Sequence, residues 1–561
     1  MRALSPPTFD RADHVAALGA APFDVLVVGG GITGCGVALD AASRGLRVAL
    51  VERHDFASGT SSKSSKLVHG GLRYLQQGDI RLVYEALHER RRLLRNAPHL
   101  VSIPPFLLPI FTKDGLINAK LARAMGTAMW LYDLTGGWRI GKRHRRLKRD
   151  EALERMPTLA AERLAAGYLF YDCRADDARL TLTLARTAAL GHDAVVVNRA
   201  SATGLRHRPD GRVAGAEIHV DGRSVAVDAS VVINATGVWV DELRTMDEGQ
   251  DPDMIRPAKG MHITVPWDKV RNEVAVILPV PKDKRSIFVV REGDLCYVGT
   301  TDTDYDGPLD DPQCTSDDID YLLSTLNAWS TEHIERSDVV GTWAGLRPLV
   351  RGASSERTAD LSRRHSVVTS DHGLVTVTGG KLTTYREMAA DTVDAAVKVL
   401  PDGIDAGRSR TKRLPLRGHD HRRELQRWVK RGIVTQAVAD HLDGRYGGDA
   451  RVVLAMLEGD ASLARPLVPG LPYLRAEAVY AARHEMATTV DDVLSRRTRA
   501  RLWARDDSAA SADDVAELIG GVLGWDQAQR TEAAAAYRAS IEAERAAPDL
   551  PETHLADLIG A

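Results

Sequence analysis

Apolar residues first gather in a short unbroken run at 25–28 (VLVV), with no polar position between them. Such a run predicts a strand covered on both faces, as in a parallel sheet. Glycines break it at Gly29, Gly31 and Gly34. The apolar pattern resumes over 37–42 as a helix closed by Gly45, and 48–51 (VALV) repeats the buried-strand pattern and ends at Glu52. Two later segments carry the same signature. Residues 231–243 (VVINATGVWVDEL) read as a buried strand ending in Ala235, Thr236 and Gly237, and 373–397 as a strand, a Gly-Gly pair and a helix. The stretches MHITVPW and SIFVVREGDLCYVGTTDTD predict antiparallel strands. Residues 401–418 read as a linker, and the chain beyond them as mostly helical, including the alanine-rich TEAAAAYRASIEAERAA.

The glycine spacing turns this pattern into chemistry. Gly29 allows a tight turn, Gly31 lets backbone approach a pyrophosphate, and Gly34 lets helix pack on strand. The helix N-terminus offers free N–H groups to phosphate. Glu52 stands where it can accept hydrogen bonds from a ribose. Strand, glycine triplet, helix, strand and acid in this order predict dinucleotide binding. The fingerprint alone does not separate FAD from NAD. The late strand-to-helix turn at Gly380 favours FAD, because a second positive helix end stabilises negative charge on a reduced flavin.

Composition narrows the classes further. A chain of 561 residues allows two to four domains, and a net charge of −2 gives no reason to expect nucleic-acid binding. Cys35, Cys173, Cys296 and Cys314 are scattered without a C-x-x-C pair. That argues for a reducing compartment and against zinc or disulfides. Cys35 reads as a small packed side chain. With no EF-hand loop either, no metal site is expected. The N-terminal segment lacks the apolar core of a signal peptide, and no window approaches eighteen apolar residues, so neither a leader nor a membrane-spanning helix is expected.

Several motifs together carry a resemblance. GGGITGCGVALDAASRGL, TSSKSSKLVHGGLRYL, RLVYEALHER, VINATGVWV, GTTDTDY, GLRPL and GGKLTTYR resemble the FAD-dependent, quinone-linked glycerol-3-phosphate dehydrogenases. The likeness runs over about 23–399 and resumes at 480–503 (YAARHEMATTVDDVLSRRTRARLW). It implies an α/β fold with a Rossmann-like FAD-binding domain of the D-amino-acid-oxidase-like type, a mixed or antiparallel-sheet substrate domain and a helical C-terminal domain. The FAD-binding domain is expected to be discontinuous (23–95, 165–240 and 340–400), the substrate domain to come from 96–164 and 241–339, and the helical domain from 419–561. The implied reaction is oxidation of sn-glycerol 3-phosphate to dihydroxyacetone phosphate, with a hydride passing to FAD and electrons to a membrane quinone. Two alternatives stay open: an oxidase that uses oxygen, and a non-catalytic FAD-binding sensor module.

Site residues follow from the same motifs. Thr60, Ser61, Ser62, Ser64, Ser65, Lys66, His69, Gly70 and Gly71 are expected to track along FAD, with Ala235, Thr236, Gly237, Gly380, Lys381, Leu382 and Thr383 from the later turns. A phosphate dianion calls for arginine, whose planar fork holds two oxygens. Arg347, Arg73 with Tyr74, and Arg363 (or its neighbour Arg364) are the candidates. Removing the alcohol proton calls for a base near neutral pKa, and His262 is preferred over His69. Lys381 is a candidate for stabilising reduced flavin. Thr383 and Thr384 read equally as helix caps or as ligand contacts.

A membrane contact is expected at 118–149. Ala122, Met125, Met129 and Tyr132 share one helical face, and seven Lys or Arg follow between Arg139 and Arg149, beside Trp130 and Trp138. This composition suits an anionic bilayer surface. The expected location is therefore the inner face of the cytoplasmic membrane, held peripherally; a homodimer is left open.

Overall fold

Phe23–Val28 sits at the centre of a parallel sheet, and all six of its residues are buried. Val25 is opposite Val48 on one side and Val231 on the other. Val195–Val197 extends the sheet beyond Val48–Val51, and Val375–Thr378 extends it beyond Arg223–Asn234. The computed structural model describes residues 9–71, 80–111, 126, 129–130, 132, 140–281, 285–351, 365–419 and 422–559. Arg223–Asn234 is long enough to serve two purposes. Its C-terminal half pairs in the parallel core, and its N-terminal half closes an antiparallel meander with Ala200–His207 and Val213–Val220.

The helix after the glycine triplet spans Ile32–Ser43. It is longer than the apolar pattern predicts, because it begins at once after Gly31 and its first turns are glycine and cysteine rather than aliphatic. Every residue from Gly34 to Ser43 is buried. The helix lies between Asp177–His192 and Tyr385–Val397. Small residues permit that approach: a Cβ on Gly36 would lie 3.0 Å from the ring of Tyr385.

A second sheet, nine-stranded among the described residues, runs from Thr303–Asp304 through Ile255–Pro266, Leu295–Gly299, Ser286–Glu292, Ala275–Pro279, Pro105–Phe111 and Leu164–Tyr171 to Arg145–Lys148. Gly341–Val350 pairs antiparallel with Ile255–Pro266 over ten residues. Two segments assigned from sequence to the dinucleotide half, Leu164–Tyr171 and Gly341–Val350, thus pair in this second sheet. Their apolar runs resemble those of the parallel core, and periodicity does not name a strand's partner.

Past the linker the chain is helical, from Arg422–Lys430 to Gln527–Ala546. The linker itself is pinned. The hydroxyls of Ser409 and Thr411 donate to Asp40 of the fingerprint helix at 2.5 and 2.9 Å, and Leu416 is buried.

The amphipathic segment at 118–149 departs from expectation where it is described. Met129 and Tyr132 are buried in the protein's own core with Phe106, Tyr168 and Phe170, so that face packs inward. Ala122, Met125 and Trp138 lie outside the described residues. Trp130 is 65% exposed, with its ring 5.1 Å from that of His144. Among the described residues no helix is long and apolar enough to cross a membrane.

Candidate functional site

The three fingerprint glycines do different work. Gly29 has φ +114°, and a Cβ there would lie 2.5 Å from the carbonyl oxygen of Ala235. A Cβ on Gly34 would lie 1.9 Å from the carbonyl oxygen of Gly29, so this glycine sets the helix-to-strand approach. Gly31 opens towards a cavity of about 500 Å³ and caps the helix that starts at Ile32. A fourth glycine, Gly30, was not singled out from the sequence. Its amide donates to Glu52 Oε2 at 2.6 Å, and a Cβ would lie 2.7 Å from that of Glu52. The amide of His54 donates to Oε1 at 2.8 Å. Burial raises the Glu52 carboxyl, while these two amides favour the ionised form.

The cavity brings together most of the expected cofactor residues. Gly29, Gly31, Glu52, Thr60, Ser61, Ala235, Thr236, Gly237, Gly380, Lys381 and Leu382 all line it. Asn234 shapes the Ala-Thr-Gly turn from below, accepting from Thr236 Oγ1 at 2.7 Å and donating to the carbonyl of Val240 at 2.8 Å. Gly379 and Gly380 both have positive φ, and a Cβ on Gly380 would strike Met388 Sδ at 2.3 Å. A carboxylate at one end, glycines and a helix N-terminus in the middle, and a lysine at the Gly380 turn fit an elongated dinucleotide such as FAD.

The polar loop divides its serines among three tasks. Ser61 Oγ accepts from the Ile32 amide at 2.8 Å and stays at the cavity. Thr60 Oγ1 donates to the carbonyl of Leu346 at 2.5 Å. Ser62 is buried against Gly59. Ser64 turns away and donates from both its amide and its hydroxyl to Asp177 Oδ2, at 2.9 and 2.7 Å. Ser65 Oγ is 2.8 Å from His262 Nε2. Ser62, Ser64, Ser65 and Lys66, expected as cofactor ligands, are therefore placed outside the cavity lining.

His262 lies on Ile255–Pro266 opposite Gly299, where a Cβ would come within 2.1 Å of the imidazole. Its ring stacks on Trp343 at 4.7 Å and 9°. Nδ1 is buried with no hydrogen-bond partner, so the nitrogen that a hydroxyl reaches is Nε2. Burial, then the charges of Lys66 and Arg347, pull its pKa well below the usual 6.5. Lys66 Nζ lies 4.5 Å from the centroid of the Trp343 ring and 3.6 Å from Asp177 Oδ1. Burial lowers its pKa to about 7, against the pull of Asp177.

Arg347 stands four residues from Trp343 on the paired strand, and its guanidinium lies over Gly260, where a Cβ would meet it at 2.3 Å. It donates to Asp302 Oδ1, Thr300 Oγ1 and the carbonyl of Thr301, each at 3.1 Å. Pro348 beside it lines the cofactor cavity. The amide of His69 donates to Thr383 Oγ1 at 3.1 Å, which joins the Gly70–Gly71 stretch to the 382–384 turn. Thr384 Oγ1 donates to the carbonyl of Lys381 at 3.4 Å, so this residue stands at the N-cap of Tyr385–Val397 without a side-chain capping bond. Gly70 is fixed by its amide bond to Tyr132 Oη at 3.1 Å. Cys35 donates to the carbonyl of Gly30 at 3.4 Å, and burial pushes its thiol up. Arg73, Tyr74, Arg363 and Arg364 lie outside the described residues.

Sequence reasoning missed the residues that brace this site from a distance. Asp177, Arg499, Trp343 and Tyr297 hold 62–66 from four separate segments. Arg499 donates to the carbonyl of Ser62 and, at 3.1 Å, to Asp177; Tyr297 Oη donates to the carbonyl of Ser65 at 3.0 Å. The one signal available for Arg499 was its place in the RRTRAR run.

Comparison with known proteins agrees with this geometry. The family described as FAD dependent oxidoreductase matches residues 24–386, and the C-terminal domain of alpha-glycerophosphate oxidase matches 409–530. Glycerol-3-phosphate dehydrogenase 2 of Mycobacterium tuberculosis is 41% identical over the whole of this chain and 94% of its own length. The mitochondrial glycerol-3-phosphate dehydrogenase of Rattus norvegicus is 38% identical over 91% of this chain and 72% of its own length. Among solved structures, the glycerol-3-phosphate dehydrogenase from Bacillus halodurans complexed with FAD superposes with a TM-score of 0.75 at 29% identity, covering 95% of this chain and 96% of that one.

Proposed function

The chain belongs to the FAD-dependent glycerol-3-phosphate dehydrogenase family, and from that premise we propose that it oxidises sn-glycerol 3-phosphate to dihydroxyacetone phosphate and delivers the electrons to a membrane quinone. The observation that carries the reading is the pairing of a desolvated, neutral His262 with Arg347 on one two-stranded scaffold whose Pro348 lines the cofactor cavity.

When bound, FAD supplies the two-electron acceptor for the hydride of C2. The chain supplies the rest. His262 takes the hydroxyl proton at Nε2, and its depressed pKa keeps the imidazole neutral at neutral pH. Arg347 offers a planar fork to the phosphate and is pre-set by Asp302. Lys381 contributes positive charge where the cavity meets the Gly380 turn. Trp343 and Tyr297 wall the base from water and hold its ring in plane.

The decisive experiment adds glycerol 3-phosphate to the yellow protein without oxygen. Bleaching of the flavin is the expected result; a stoichiometric flavoprotein that keeps its colour overturns the substrate assignment. Docking on an anionic bilayer rests on the exposed residues Lys142, Arg143, Arg145, Arg146, Lys148 and Arg149 with Trp130. Each basic residue near such a surface contributes about 1 kcal/mol. Reversing the charge of Arg143, Arg145 and Arg146 is expected to abolish sedimentation with anionic vesicles, and unchanged sedimentation refutes the docking. The match of 409–530 to an oxidase domain favours a second acceptor, oxygen. Hydrogen peroxide formed in step with substrate loss selects it; reduction of a quinone analogue without peroxide selects the dehydrogenase.

A further inference from the structure

Three side chains far apart in sequence meet at the rim of the dinucleotide half. His207 ends the strand Ala200–His207, Asp247 lies in the last turn of Val240–Glu248, and His372 sits in the turn before Val375–Thr378. His372 Nδ1 is 3.1 Å and His207 Nε2 is 3.6 Å from Asp247 Oδ1. The two imidazoles are nearly perpendicular, at 86° and 5.8 Å between centroids. One ligand atom from each residue lies within 4.8 Å of the others.

Asp247 is the anomaly. Its carboxylate is wholly buried, yet Oδ2 has no hydrogen-bond partner, and its ion-pair partners among the described residues are these two histidines. A buried carboxylate needs compensating positive charge. The helix end sharpens the need, since the C-terminal dipole is itself negative.

We propose that His207, Asp247 and His372 bind a divalent transition-metal ion of the zinc type. Zinc bonds to nitrogen and oxygen at about 2.0–2.1 Å, so ligand atoms around a tetrahedral ion are separated by about 3.3 Å. The observed 3.1 and 3.6 Å bracket that edge, and the histidines are partly exposed, which leaves a fourth position for water. Two imidazoles and one carboxylate select zinc-like ions over calcium or magnesium, which prefer all-oxygen shells. The ion ties three cavity-lining elements together. Ala200–Thr203 of the strand, Glu242, Leu243 and Met246 of the helix, and Gly379–Leu382 just beyond Val375–Thr378 all line the cofactor cavity. It is a structural clamp on the cavity wall, separate from the oxidation chemistry.

The test uses the full-length, FAD-loaded protein, stripped with a chelator, dialysed and titrated with Zn²⁺ alone. One ion per chain is expected, with a rise in Tm. His207→Gln and His372→Gln are each expected to weaken binding at least about tenfold and to remove the Tm rise. Ca²⁺ and Mg²⁺ at the same concentration are expected to do neither. Co²⁺ offers a second readout, a d–d absorption beyond the flavin bands that requires both histidines. Both substitutions are at partly exposed positions, so flavin content and Tm in chelator should match the parent. Absence of stoichiometric Zn²⁺ binding, or equal binding by the His207→Gln/His372→Gln double variant, overturns the proposal. Either result leaves the flavin-bleaching experiment unaffected.

Discussion

The loop at 61–66 touches two buried polar clusters built on opposite rules. Behind it lies an arginine–aspartate network centred on Asp55, whose two carboxylate oxygens each accept two hydrogen bonds. Asp55 accepts from Arg496, from both terminal nitrogens of Arg497 and from Asn198, all at 2.7–3.0 Å. Burial pushes its carboxyl up, but Arg497 and Arg496 more than offset this and hold it below the usual range. Beside the cavity, His262 has one hydrogen bond, an aromatic wall and an unpartnered nitrogen. Saturation leaves the Asp55 carboxylate no free oxygen for chemistry. Under-saturation makes the second costly to fold and ready to take a proton.

If that contrast holds, substitutions on the two sides should fail differently. His262→Gln is expected to slow flavin reduction in single turnover by about 10²–10⁴-fold, with Tm almost unchanged; an unchanged rate removes His262 as the base. Asp55→Ala should do the reverse. Stranding buried arginines costs about 3–5 kcal/mol, read as a large drop in apparent Tm, while the folded fraction still reduces its flavin at the parent rate. A Tm within error of the parent would show the network to be dispensable. Arg347→Leu removes a charged contact of about 1.5–3 kcal/mol. It should raise KM roughly ten- to a hundredfold without a matching loss of stability, and an unchanged KM would move phosphate recognition elsewhere. The subtlest test uses pH. His262 binds its proton well below pH 6.5, so the acid limb of flavin reduction should lie below that value. Lys66, with a pKa of about 7, is charged across that limb and contributes to the depression. Lys66→Met should therefore shift the limb upward, yet not to 6.5, because burial is the larger cause. A limb that does not move would mean Lys66 is already neutral there.

What the sequence disclosed and what it hid divide along the same line. Gly34 and Glu52 were legible because their partners, Gly29 and Gly30, lie within about one βαβ unit, where spacing is geometry. His262 was legible as a histidine beginning a strand-like run. Its stacking on Trp343 was not, since strand pairing over eighty residues sets that contact. Ser64 looked like Ser61 on paper, and only the fold sends one to Asp177 and the other to Ile32. The face of Met129 and Tyr132 was read as membrane-seeking because amphipathicity reports a covered side without naming the cover.

Asp55 and Asp177 are made early, and their arginine partners follow 441 and 322 residues later. At a synthesis rate of about 5–20 residues per second, Asp55 waits roughly 20–90 s for Arg496. During that interval the nascent dinucleotide half carries acidic groups meant for a dry interior, and the carbonyl of Ser62 lacks its clamp. The brace behind the cofactor cavity is thus completed only once Arg496 and Arg499 have been made.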